Sequence, residues 1–145
     1  PATPIAWEGT MSYKIDEIEG IGPTYREKLS GAGIANTDDL LDKCCSAKGR
    51  KEVAELTGLS EKHLLEWTNM ADLMRVSGVG RQFAELLEAS GVDTLRELRN
   101  RNAENLAAKL QEVNSSKKLS RSTPSPKMVE DWIEQAKLTD PRITY

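Results

Sequence analysis

Two short glycine runs carry the residues best suited to holding a ligand: Gly20-Ile21-Gly22, and Gly78-Val79-Gly80 followed by Arg81. The first glycine of such a run permits a tight turn, and the second leaves no side chain between the backbone and a ligand. Ile21 and Val79, between the glycines, plug the gap between the flanking helices. The amides that open the following helix then face outward with the helix dipole behind them, an arrangement suited to an anion, most often a phosphate. Asp16, Glu17 and Glu19 surround the first run, and Pro23 removes one of its amides, so a phosphodiester is repelled there at close range. Arg75, Ser77 and Arg81 surround the second, where charge-assisted hydrogen bonds to phosphate are available. Each run also has a purely structural use, joining two helices at a fixed angle.

Other candidates are weaker. Lys117-Lys118-Leu119-Ser120-Arg121 reads as a phosphate-tracking loop or as a solvated linker, and Arg96, Arg99 and Arg101 are expected to extend the basic face. Lys48-Gly49-Arg50-Lys51 allows the same two readings. Cys44 and Cys45 are adjacent; with His63 they fall short of the three or four ligands a metal needs, and they read as small residues at a helix end. Trp67 and Trp132 are able to stack on bases, but their repetition at equivalent positions argues for core packing. Ser122-Thr123-Pro124-Ser125-Pro126 resembles a phosphorylation target and is equally a turn before a capped helix. No nucleophile–base pair, carboxylate dyad or metal cluster stands at usable spacing, so no enzyme is expected.

The elements that position these residues come in two copies. Residues 18–29 with Gly33-Ile34 match residues 76–87 with Gly91-Val92 at a constant offset of 58. Ser60 to Trp67, with Ala71 and Leu73, matches Ser125 to Trp132, with Ala136 and Leu138, at an offset of 65; the seven extra residues fit the insertion Ser115 to Ser122. The repeated pattern, aliphatic-x-Gly-aliphatic-Gly-x-x-aromatic-x-x-x-Leu and then Gly-aliphatic, is that of a helix-hairpin-helix. Leu56-Thr57-Gly58-Leu59-Ser60 reads as a degenerate third hairpin with serine in place of the second glycine, and its counterpart Ser122-Thr123-Pro124-Ser125 has lost the glycine altogether.

Helix signals recur at matching places. Pro23 suits a first helical position, Gly33 and Gly91 stop helices, and Thr37 with Asp38 and Asp39 opens the next one. Thr94-x-x-Glu97 reads as a capping box, while Ser60 and Ser125 cap the last helix of each copy. Leu64, Trp67, Ala71 and Met74 share one helix face, as do Val129, Trp132, Ile133 and Ala136. The expected fold is all-α, with eight or nine short helices and no sheet. The units are expected at 15–75 and 76–138, with tails at 1–14 and 139–145.

Composition agrees. Of 145 residues 38% are hydrophobic and only 5% aromatic, so the core must be built from Leu, Ile, Val and Ala. The net charge is −3, which gives no global field for nucleic acid. Residues 11–72 hold 8 basic and 12 acidic side chains against 12 and 10 in residues 73–145, so any nucleic-acid face belongs to the second copy. No apolar run approaches a membrane span and no basic leader precedes one, so a cytoplasmic protein with no membrane partner is expected. Residues 1–10 do not resemble the rest of the chain; they read as an added tail before a natural start at Met11, or as a docking peptide anchored by Ile5 and Trp7.

The tandem pattern, with Leu110-Gln111-Glu112-Val113-Asn114 and the string from Pro124 to Lys137, resembles the bacterial domain of unknown function 4332 over nearly all of Ile15 to Leu138. The resemblance implies tandem helix-hairpin-helix motifs in a SAM-domain-like helical fold, and no assigned activity. Helix-hairpin-helix proteins more broadly bind DNA without sequence preference, and some hold a monovalent cation on hairpin carbonyls; no other cofactor is implied. Carried over, Gly78, Gly80 and Arg81 match the phosphate-contacting positions, and Gly20 and Gly22 match in backbone only. The expected function is a non-catalytic module binding DNA or RNA backbone through the second hairpin. The alternative is an adaptor that pairs with a protein partner or with itself; the sequence does not decide whether a small-molecule pocket lies between the copies.

Overall fold

Single side chains set most of the helix starts. In the computed structural model, which describes residues 11–145, a 3-10 turn at Ile15–Glu17 is followed by helices α1 (Pro23–Gly31), α2 (Thr37–Cys44), α3 (Ala47–Thr57), α4 (Glu61–Leu73), α5 (Arg81–Ala89), α6 (Leu95–Leu98), α7 (Ala103–Lys117) and α8 (Pro126–Lys137). Among the described residues there is no strand, only an isolated bridge between Lys14 and Asn36. The chain is all-α, as the helix-period pattern implies. Both readings of residues 1–10 lie outside the described residues.

The caps follow local chemistry. Ser46, Asn102 and Ser125 each accept a hydrogen bond from the amide three residues on, and Ser60 Oγ accepts from the His63 amide. Thr37 does open α2, but Asn36 supplies the cap, and the Thr37 hydroxyl accepts from the Tyr13 amide instead. Thr94 caps α6 as expected; the reciprocal half of the capping box is not made, because the Glu97 carboxylate accepts from Arg101 at 2.9 Å. Gly33 and Gly91 stop their helices with φ of +83° and +93°.

The chain divides into two units. The first comprises Ser12–Asp72 and takes in Arg142–Tyr145; the second runs from Leu73 to Pro141 with Met11. In the first, α2 and α1 pack on α3. Arg50 of α3, only 5% exposed, donates to the carbonyls of Cys44 and Thr144, and the Thr144 amide donates to the Cys45 carbonyl at 2.7 Å. Part of the segment expected as a tail is thus built into this unit, with Ile143 buried. In the second, α8 packs on α6 and α7, and α5 on α7. Its core is aliphatic around one tryptophan: Leu86, Leu87, Leu98, Leu110 and Val129 are buried beside Trp132. Each such side chain contributes about 1.5–3 kcal/mol on removal from water.

Candidate functional site

The two glycine runs form matching turns. The Ile21 amide donates to the Ile18 carbonyl and the Val79 amide to the Val76 carbonyl, both at 3.1 Å. Gly20 and Gly78 each have φ of +95°, the left-handed region that the third position of a type II turn demands. Ile21 and Val79 are buried beneath, as plugs.

The second glycine of each run has a different role. Gly22 and Gly80 are the N-cap residues of α1 and α5, with φ of −91° and −94°, a backbone open to any residue. A Cβ at either position would meet nothing within 4 Å. Neither helix start receives a side-chain cap, whereas a side chain caps each of α2, α3, α4, α6, α7 and α8. Where serine stands at the corresponding place, as Ser60 and Ser125, its hydroxyl takes the amide that glycine leaves uncovered.

Around the first turn the structure adds little to hold an anion. Asp16 pairs with Arg26 at 3.3 Å, and Pro23 occupies the first position of α1. His63 stacks on Trp67 with ring centres 5.5 Å apart, and Tyr25 tilts against the same indole at 5.2 Å.

Around the second turn the predicted residues divide. Gly78 and Ser77 are exposed, Arg81 is exposed at the start of α5, and Lys117, Lys118 and Arg121 are all exposed. Gln82, in the first turn of α5, draws the basic loop in: its Oε1 accepts from the Arg121 amide at 3.2 Å and from the Ser120 hydroxyl at 3.4 Å. Asn114, nine-tenths buried, fixes the same loop from below; it accepts from the Ser120 amide and donates to the Ser120 carbonyl and the Thr123 hydroxyl. Lys118 closes α7 in the left-handed conformation, with φ of +53°.

Two expected contributors also make bonds within the second unit. The Ser77 amide donates to Gln135 Oε1 at 2.9 Å, and Gln135 Nε2 returns a bond to the Ser77 carbonyl, so this main chain is clasped to α8. Arg75 donates to the Asp140 carbonyl. Nor does the structure gather Arg101, whose guanidinium holds the Gly91 carbonyl beyond the other end of α5, roughly 13 Å along a nine-residue helix.

Sequence reasoning missed Gln82, Asn114 and Gln135. Asn114 and Gln135 do lie inside the family-like strings, which is the one signal that marked them. Trp67 and Trp132 are both buried, which settles the choice between stacking platform and core. Among the described residues no group of three or more His, Cys, Asp or Glu could hold a metal ion. Burial pushes the Cys44 thiol up to about 11, which keeps it protonated.

A family model described as Domain of unknown function (DUF4332) matches residues 19–139. The chain belongs to this family. No curated protein and no solved structure matches it. In this DUF4332 chain the matched span takes in both glycine turns and all eight helices seen among the described residues. No helix of the described residues is long and apolar enough to cross a membrane.

Proposed function

We propose that this DUF4332 chain is a non-catalytic module of helix-hairpin-helix type that holds nucleic-acid backbone, without sequence preference, through the turn at Gly78–Gly80 and the start of α5. The observation that carries the reading is the contrast among helix starts: serine at the equivalent place caps its helix, whereas Gly80 leaves α5 uncapped and faces open space. Amides at an uncapped helix start are donors awaiting an anion. The basic loop, drawn to α5 by Gln82, supports a run of contacts to successive phosphates.

The test is a gel-shift titration with a duplex of arbitrary sequence. Gly80→Ser places a capping hydroxyl on the amide and is expected to weaken binding about tenfold while stabilising α5 by a few tenths of a kcal/mol. Arg81→Glu should abolish binding. Unaltered affinity in both variants would overturn the reading.

A second reading, an adaptor pairing with a protein or a second copy, draws support from the first unit, where residues 11–72 carry four more acidic than basic side chains. It predicts no retention on duplex DNA, with a sedimentation mass above 16.1 kDa for pairing with a second copy or a captured partner in a pull-down for pairing with another protein.

A further inference from the structure

Each of the two buried tryptophans sits behind a glycine turn. Trp132 is 2% exposed, and its Nε1 lies 3.2 Å from where a Cβ at Gly78 would stand. In the first unit Trp67 Nε1 lies 3.5 Å from the corresponding point at Gly20. Gly78 is itself exposed, so the missing side chain leaves a slot from solvent down to the indole nitrogen. The slot opens into a cleft of about 400 Å³, with Ser77, Gly78, Ser125, Lys127 and Asp131 on its sides and Trp132 at its floor.

Among the described residues the Trp132 indole N–H makes no hydrogen bond, and the one sealed, unpartnered side-chain atom is Asn69 Oδ1. The indole donor is therefore unpaired but not sealed. A buried Trp N–H ordinarily finds an acceptor; here the acceptor has to come from outside, through the slot.

We propose that the Trp132 indole N–H is a ligand-binding donor, reached past Gly78, and that it takes a phosphate oxygen of the nucleic-acid backbone. The inference rests on the proposed backbone binding at the second turn and adds a donor to it. The ligand is an acceptor because the indole only donates, and it is anionic because Lys127 flanks the cleft. The carboxylate on its rim, Asp131, is tied by the 2.9 Å bond it accepts from Gln135 Nε2, the side chain that also clasps Ser77. In the first unit Lys62 and Glu66 match Lys127 and Asp131, but the added carboxylate of Glu19 stands in the place of Ser77 and Met70 in that of Gln135. That turn therefore offers its indole to no phosphate.

The experiment is a titration of the full chain, ¹⁵N-labelled, with a 20-base-pair duplex, followed by two-dimensional NMR. The Trp132 indole resonance is expected to shift along the same saturation curve as the Gln82 and Phe83 amides, while the Trp67 indole stays in place. Trp132→Phe keeps an aromatic ring against Phe83, 5.2 Å away in the native pair. It should bind about tenfold more weakly, the effect of one lost hydrogen bond to a charged group. A stationary Trp132 indole while the Gln82 and Phe83 amides move overturns the inference and leaves the turn as a binding site. If those amides stay still as well, both readings fall. Equal movement of the Trp67 indole marks a general effect of the medium and also overturns it.

Discussion

Gly78 and Gly80 are separated by one buried valine, yet replacing them should have opposite consequences. Gly78 has φ of +95°, so Gly78→Ala costs about 1–2 kcal/mol through the backbone alone and adds a methyl 3.2 Å from the Trp132 indole. Gly80 is unstrained and faces open space, so its replacement is cheap for the fold and should be felt only by a ligand. Urea denaturation beside the binding titration separates the two: Gly78→Ala should lower the midpoint, and Gly80→Ser should not. Cys44 gives a prediction in pH. Its thiol, buried in α2, ionises only near 11 in the folded chain, against an ordinary value of 9. The folded state therefore keeps a proton that the unfolded state has released, and the contribution present below pH 9 is lost as pH rises towards 11. Stability measured across that window should fall more steeply in the native chain than in Cys44→Ala.

Among the elements, those fixed by neighbours in sequence were legible, and those fixed across the fold were not. Ser60, Thr94 and Ser125 announce helix starts because a cap needs only an amide three residues away. Trp67 and Trp132 announce the core through apolar spacing at the helical period, and Ile21 and Val79 through their place between the two glycines of each turn. Gln135 and Asn114 are polar residues on amphipathic helices, where the same period assigns them to solvent. Their partners, Ser77 at a separation of 58 residues and the loop at Ser120, become visible only once the helices pack. Sequence reasoning placed Arg75 and Ser77 beside the second turn, but the bonds from the Arg75 guanidinium to the Asp140 carbonyl and from the Ser77 main chain to Gln135 were not legible there. The loop between α7 and α8 depends on a single amide side chain. Asn114→Ala leaves the Ser120 amide and carbonyl without their partner and should cost about 1–3 kcal/mol in denaturant titrations. It should also weaken nucleic-acid binding by releasing Lys117, Lys118 and Arg121 from the start of α5.

For the whole molecule, charge and duplication together set the expectation. The two turns share backbone geometry, but an overall charge of −3 leaves any attraction for phosphate to a local patch rather than a global field. A local patch makes few contacts, so the logarithm of affinity should fall with the logarithm of salt at a shallow slope. Replacing any one of Lys117, Lys118 or Arg121 by alanine should reduce that slope by about 1. A slope unchanged in all three variants assigns the contacts to other cations. Duplication was legible because both copies kept their glycines and aliphatic plugs at a fixed offset. The chemical difference between the copies lies in a few substitutions, Glu19 against Ser77 and Met70 against Gln135, whose meaning needs the turn and the last helix side by side.

The guanidinium of Arg50 reaches a carbonyl 94 residues further along the chain. During synthesis on a ribosome, the first unit emerges long before Thr144 is made, and until then the buried cation lacks one of its two acceptors. The first unit is therefore closed only once residues 142–145 are present, and a nascent chain stalled before Arg142 should be cut by protease within the first unit more readily than one extended past Tyr145.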